Sequence, residues 1–228
     1  MTFEQFVPAV QAAFAPLADA TRAQAMKAYL LNQFEFVGLP APVRRQAVRA
    51  LGKVAWTREG LLQVVQQLWQ LREREYRYTA VDALRQHSRL LHATDVLGLR
   101  ELLQRDAWWE TVDGLSAVIS EVLHRDCQTN AHAARGMDEW VCHSNLWVRR
   151  SAMLHQLGWR LDTNETRLFG YALQLAHEKE FFIRKAIGWA LRDYARWNPQ
   201  AVTDFVVQHR DRLSPLTVRE AAKHLELP

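Results

Sequence analysis

A short pattern recurs along the chain and limits the folds that the chain can adopt. In most copies a long polar or aromatic side chain stands two positions before a small residue, which an apolar residue follows. The small residues are Ala47, Ala80, Gly114, Ala152 and Ala186, at steps of 33, 34, 38 and 34. This period is typical of stacked helix pairs, which bury their apolar faces only against their neighbours. Chance recurrence of alanine in a helical bundle is the alternative.

Composition supports helices over strands. The 228 residues include only nine glycines, seven prolines and three isoleucines, whereas alanine, leucine, glutamine and arginine are frequent. Straight-chain residues favour helix, and β-branched residues favour strand. We therefore predict an all-α protein, a single-domain α-solenoid over residues 1–228 with a concave face wide enough for a duplex.

Turn and capping signals divide the chain into roughly twelve helices. The segment Val37–Pro42 predicts a loop, with Pro42 in the first turn of the next helix. Thr2 with Gln5 predicts a capping box that opens the first helix. Further predicted helix starts are at Thr57, Thr94, Thr163 and Ser214–Pro215.

Several classes of protein do not fit the sequence. No run of 18 apolar residues exists, and the first residues lack the pattern of a secretion signal. Cys127 and Cys142 are too far apart to suggest a zinc site, and the nine histidines form no H-x-x-x-H pair. We expect a cytoplasmic protein that needs neither metal nor cofactor and has no membrane partner.

The cations are mostly arginines. The formal net charge is +4, and 24 of the 29 cations are arginine, whose planar fork suits phosphate. A calculated pI of 9.3 fits a nucleic-acid partner. An arginine-rich solvated surface on an ordinary helical protein explains the same composition equally well.

The segment Ala107–Gly114 is the most unusual local sequence. On a helix, Trp109 and Asp113 are four residues apart, so the indole and the carboxylate share one face. A carboxylate beside an aromatic ring can stabilise a developing cation. The simpler interpretation is a core tryptophan with a surface aspartate, and spacing alone does not decide.

Two further segments predict contacts with a phosphate backbone. Arg45 and Arg150 occupy the same position of the repeat and could present cations along one surface. Lys185, Trp189 and Arg192 share a helix face, where cation and ring together could hold a sugar–phosphate backbone. Arginine stems that cover apolar neighbours are the alternative. Gly188, inside the same helix, indicates close packing or the close approach of something large.

The chain resembles the alkylpurine DNA glycosylases of the DNA alkylation repair family, compact helical proteins built from HEAT-like repeats. The resemblance covers nearly the whole chain. Its most specific parts are Phe34–Leu39 with Pro42–Gln46, Trp108–Asp113 and Lys179–Trp189. The chain differs from the family mainly in linking segments, such as Gln128–Arg135.

The resemblance implies hydrolysis of the N-glycosidic bond of N3- or N7-alkylated purines in double-stranded DNA, without base flipping. The catalytic aspartate of the family matches Asp113, and its two active-site tryptophans match Trp109 and Trp189. Its clamping arginine matches Arg150, and a tyrosine near the first repeat matches Tyr29. A curved monomer would suffice for this activity.

Two other functions fit the same sequence. The first is a non-catalytic HEAT-repeat protein that binds distorted or branched DNA and needs no carboxylate. The second is a protein–protein scaffold, in which the arginines would be scattered. Release of methylated purine from DNA separates the glycosylase from the first, and the salt dependence of DNA binding separates both from the second.

Overall fold

Helices form almost all of the regular structure in this computed structural model, which describes residues 1–225. Within that range the only pairing of strand type is an isolated bridge between Glu35 and Glu73. The chain divides into two compact units, a first unit of Met1–Leu91 and a second unit from His92 onward.

The first unit contains five α-helices, in which α4 packs against α5 and α1 packs against α3. The helices are α1 (Phe6–Phe14), α2 (Ala20–Tyr29), α3 (Ala41–Ala50), α4 (Arg58–Gln70) and α5 (Arg74–Gln86).

The second unit contains eight α-helices in its described part, in which α7, α9, α11 and α13 pack in succession. The helices are α6 (Val96–Gln104), α7 (Trp109–Cys127), α8 (Gly136–Trp140), α9 (Leu146–Leu154), α10 (Glu165–Leu175), α11 (Phe181–Ala195), α12 (Pro199–Gln208) and α13 (Pro215–Ala221).

The repeat pattern falls on every second helix. Its five small residues lie in α3, α5, α7, α9 and α11, and those in α5, α9 and α11 are fully buried. The helix between each pair of copies completes a helix-pair unit, so the predicted all-α repeat fold is confirmed. The single domain over 1–228 and the concave face stay predictions, and residues 226–228 lie outside the described part.

Helix starts follow the sequence where a side-chain cap is made. The Thr57 side chain accepts a hydrogen bond from the Gly60 amide at 3.0 Å and caps α4. The Ser214 side chain accepts a hydrogen bond from the Thr217 amide at 3.1 Å and caps α13. Both starts are confirmed, as is the place of Pro42 in the first turn of α3.

Three predicted starts are displaced. The first helix begins at Phe6, because only half of the Thr2–Gln5 box forms, the Thr2 amide donating to the Gln5 side chain. Near Thr94 a capping box is instead made by His92 and Asp95, and α6 starts at Val96. The start predicted at Thr163 lies one residue later, where Asn164 caps α10.

A buried carboxylate holds the backbone of the predicted loop, at residues 37–39, in place by hydrogen bonds. Glu75 is fully buried and accepts hydrogen bonds from the backbone amides of Val37, Gly38 and Leu39 at 3.0, 2.8 and 3.0 Å. Gly38 has φ +95°, and a Cβ there would lie 2.1 Å from the Asp19 carbonyl oxygen. The loop therefore requires both the glycine and the carboxylate.

Helix α11 packs tightly against α13 at Gly188. A Cβ at this position would lie 2.5 Å from the Cβ of Glu220 and 2.9 Å from the carbonyl oxygen of Thr217. The close packing that the glycine indicated is thus the contact of two helices.

Replacement of Gly188 by alanine is expected to destabilise the protein by about 1–3 kcal/mol, because the added methyl group collides with α13. The measurement is the free energy of unfolding from urea denaturation.

Gly170 offers a matched control, because it lies within α10 and its Cβ would meet nothing within 4 Å. Gly170→Ala is expected to stabilise by about 0.5–1 kcal/mol through helix propensity alone. Equal effects at both positions would contradict the packing argument.

Candidate active site

Asp113 forms a bidentate ion pair with Arg150. The guanidinium Nε lies 2.8 Å from Oδ1 of Asp113, and Nη2 lies 2.9 Å from Oδ2. The arginine side chain is 5% exposed and the aspartate side chain 19% exposed. The pair therefore fixes the orientation of a carboxylate that solvent can still reach.

The same arginine joins three helices. Asp113 lies on α7 and Arg150 on α9, while Nη1 of Arg150 donates to the backbone carbonyl of Phe182 at the start of α11. Because α11 also carries Trp189, this one side chain connects the helices of Asp113 and Trp189, two of the predicted catalytic residues.

A cluster of three aromatic rings reaches the buried arginine through Phe182. Trp108, Trp147 and Phe182 contact one another, with ring centroids 5.0–5.7 Å apart. The guanidinium carbon of Arg150 lies 5.8 Å from the Phe182 centroid. Through Phe182 the ring cluster comes within cation–π range of the guanidinium, whose side chain is 5% exposed.

Sequence reasoning did not single out Trp147 and Phe182 as site residues. Both residues could have been found from their helical spacing to predicted site residues. Trp147 stands three residues before Arg150 on α9, and Phe182 stands seven residues, about two turns, before Trp189 on α11.

Trp109 and Trp189 are both partly exposed. Trp109 opens α7 and Asp113 follows one turn later, so the predicted helical spacing of the indole and the carboxylate is present. The contact of the two indoles with a deoxyribose stays a prediction.

Arg149 forms a second ion pair beside the first. It donates to both oxygens of Glu178 at 2.7 and 2.8 Å and to the carbonyls of His143 and Ser144 at 2.7 Å. Both arginines of the pair 149–150 thus have carboxylate partners, and Arg150 is buried, not presented at a surface. Arg149 holds the segments before α9 and α11, which supports the position of its neighbour.

The predicted DNA-binding cations of α11 are paired within the protein. Glu220 on α13 is 7% exposed and lies 2.9 Å from Lys185 Nζ, 2.8 Å from Arg192 Nη1 and 3.2 Å from Lys223 Nζ. The hydrogen bond from Lys185 is the main cause that lowers the pKa of Glu220 to about 2. The role of Lys185 and Arg192 in DNA binding stays a prediction.

Tyr29 and Arg45 belong to the first unit. Tyr29 is the last residue of α2 and is 73% exposed. Arg45 is more than half exposed on α3, and its Nε lies 2.9 Å from Oδ2 of Asp82. Their predicted contacts with DNA also stay predictions.

Residues 1–225 contain no cluster of three or more histidine, cysteine or acidic side chains able to hold a metal ion. No helix in that part of the chain is both long and apolar enough to cross a membrane.

The sequence model of a family described as DNA alkylation repair enzyme matches residues 10–225. The chain belongs to this family. A predicted DNA alkylation repair enzyme from Enterococcus faecalis has a similar solved structure, with a TM-score of 0.81 and 31% sequence identity. The match covers 91% of this chain and 96% of that one. Among curated proteins, no match was found.

Membership confirms the resemblance stated from the sequence. It indicates an enzyme of DNA alkylation repair, and the similar structure supports the helical-repeat fold.

The stability contributed by Glu220 is expected to depend on pH. Its folded-state pKa, about 2, is below the ordinary value of 4.5, so the contribution is complete above pH 4.5 and is lost as the pH falls towards 2. Glu220→Gln should destabilise by about 1–3 kcal/mol at pH 7. The difference from wild type should shrink between pH 4.5 and 2, as measured by urea denaturation at each pH. A difference that stayed constant with pH would contradict the assignment.

Proposed function

We propose that this protein is a DNA glycosylase that hydrolyses the N-glycosidic bond of N3- or N7-alkylated purines in double-stranded DNA. The observation that carries the proposal is the bidentate Arg150–Asp113 pair, which orients a solvent-accessible carboxylate beside a partly exposed indole, Trp109. Membership in the DNA alkylation repair enzyme family supports it.

The chemistry needs little more than a fixed negative charge. Alkylation at N3 or N7 makes the purine cationic, so the C1′–N bond breaks with its electron pair going to a base that leaves neutral. Cationic character then develops on the sugar, and the Asp113 carboxylate stabilises it by electrostatic attraction. The same carboxylate orients the water whose oxygen bonds to C1′ and whose proton is released.

Arg150 acts as a positioning residue in this mechanism. A guanidinium has five N–H groups, and three of them donate to Asp113 and to the Phe182 carbonyl. Each carboxylate oxygen of Asp113 keeps acceptor capacity beyond its bond to Arg150. Arg150 keeps two N–H groups beyond these three, but its side chain is 5% exposed, and its contact with a lesion-strand phosphate stays a prediction.

Partly exposed rings and cations supply the rest of the proposed contacts. Trp109 and Trp189 hold the deoxyribose between them and attract its developing charge through their ring faces. No base flipping is required when only the sugar and phosphates are held, so bulky lesions are tolerated. Contacts to the DNA backbone are assigned to Tyr29, Arg45, Lys185 and Arg192, and the enzyme acts as a monomer without a cofactor.

Replacement of Asp113 by asparagine should reduce base release by about 10²–10⁴-fold, because the charge that stabilises the sugar cation is lost. The measurement is chromatography of free 7-methylguanine released from methylated duplex. Affinity for duplex DNA should persist.

Asp138 provides a matched control for Asp113→Asn. It accepts two hydrogen bonds from Arg167 at 2.9 and 3.0 Å in the same second unit. Asp138, 51% exposed, also accepts a hydrogen bond from the Tyr171 hydroxyl at 2.6 Å, so Asp138→Asn removes a more exposed arginine–aspartate pair. It should leave turnover at the wild-type level after correction for folded fraction. Equal losses in the two variants would reject Asp113 as the catalytic carboxylate. A wild-type protein that binds DNA yet releases no base would favour the non-catalytic DNA-binding alternative.

Arg150→Lys should keep the positive charge but lose the bidentate geometry. Because a misplaced catalytic group is costly, base release should fall on the order of 10²-fold, with a smaller change in duplex affinity. If Arg150 acts through Asp113, the double variant Asp113→Asn/Arg150→Lys should be no slower than Asp113→Asn alone. Additive losses would instead assign Arg150 an independent role.

A further inference from the structure

The first unit contains an open groove of about 1040 Å³ between α3, α5 and the segment that precedes α4. All of its lining residues lie between Phe6 and His87, so the groove belongs to this unit alone. Its lining includes the apolar residues Phe6, Val48 and Val54.

The lining is strongly basic. Asp82 is its one acidic residue, and burial lowers the pKa of His87 below the ordinary value of 6.5, so His87 adds no full charge at pH 7. The cations of the lining are Arg44, Arg45, Arg49, Lys53 and Arg85. Their excess over the acid equals the formal net charge of the entire chain, +4, so the groove is a focus of positive potential.

The single carboxylate is used by two of these cations. Asp82 lies 2.7 Å from Arg44 Nη2 and 2.9 Å from Arg45 Nε. The side chains of Arg49, Lys53 and Arg85 are exposed and have no carboxylate partner among the described residues. Three cations thus face solvent in a concave site that contains no anion for them.

Arg44 also has an unused donor. Its side chain is 4% exposed, and its Nε has no hydrogen-bond partner although Nη1 and Nη2 bond to Thr79 and Asp82. A buried donor without a partner is costly, so the groove wall contains one unsatisfied cationic donor.

An aromatic ring lies among these cations. Trp56 is partly exposed in the segment between α3 and α4, and it packs on Phe6 and His87 with centroids 5.1 and 5.4 Å away. The two contacts hold the indole in place, as a stacking platform for a flat ligand requires.

We propose that this groove binds a nucleic-acid strand at an unpaired nucleotide, with backbone phosphates on Arg49, Lys53 and Arg85 and the base against Trp56. A basic groove that contains an aromatic platform is the arrangement that single strands need, because phosphate and ring alternate along them. A paired base inside a duplex has no free face for the indole. Arg49, Lys53, Arg85 and Trp56 have no role in the proposed glycosylase, so the inference goes beyond that function; Arg45 alone lines the groove and is also assigned a DNA-backbone contact above.

The test measures the binding of an undamaged, fluorescein-labelled oligothymidine and of its duplex by anisotropy over a range of salt concentrations. Arg49→Ala/Arg85→Ala should weaken single-strand binding about tenfold and reduce the slope of log K against log salt by about 1.4, since each lost phosphate contact changes it by about 0.7. Trp56→Leu should weaken single-strand binding about 5–100-fold, leave the salt slope unchanged and leave duplex binding unchanged.

Arg22→Ala/Arg89→Ala is the matched control, because both residues are exposed in the first unit and neither lines the groove. It should change neither affinity nor salt slope beyond about twofold. Circular dichroism and thermal melting confirm that each variant is folded.

Three results would overturn the proposal: equal losses in the groove and control doubles, an unchanged single-strand affinity in Trp56→Leu, or losses confined to the duplex. Base release by the wild type is assayed separately on methylated duplex. If the wild type releases no base, the single-strand binding data still test the groove proposal.

Discussion

The bidentate bond between Arg150 and Asp113 is the interaction around which the second unit is arranged. It connects α7 to α9, and the third hydrogen bond of the arginine extends the connection to α11. Removing one partner of a buried ion pair leaves an uncompensated charge and costs about 3–5 kcal/mol. The same arginine therefore contributes both to the orientation of the carboxylate and to the packing of three helices.

Ion pairs between an arginine and a carboxylate recur along this chain. Arg149 with Glu178, Arg167 with Asp138 and Arg44 with Asp82 repeat the pattern of a largely buried arginine on a carboxylate of another element. The guanidinium fork suits this use because it bonds in a plane and stays charged. Many of the arginines that give the chain the composition of a nucleic-acid-binding protein thus have a structural role. The exposed arginines without a carboxylate partner are the better candidates for contacts with phosphate.

The helical repeat could be predicted from the sequence because the spacing of small residues is a local pattern with a known packing consequence. Helix starts were correct at Thr57 and Ser214, where the side chain caps its own helix, and displaced near Thr94, where another pair of residues makes the cap. The helical spacing of Trp109 and Asp113 followed from periodicity. The family resemblance, which the match of the family model confirms, assigned the candidate roles. Periodicity could not show that Arg150 is buried or that Glu220 pairs with Lys185 and Arg192, because those contacts join elements 28–37 residues apart.

The close packing of Gly188 against α13 connects the last described α-helix to the helix that carries Trp189. Helix α11 is held on one side by Arg150 through the Phe182 carbonyl and on the other by Glu220 and the backbone of Thr217. The last α-helix of the described chain therefore acts as a buttress for the proposed reaction centre without contributing a group to it. A substitution in this C-terminal buttress would therefore shift the helix that carries Trp189 and replace none of the residues of the proposed reaction centre.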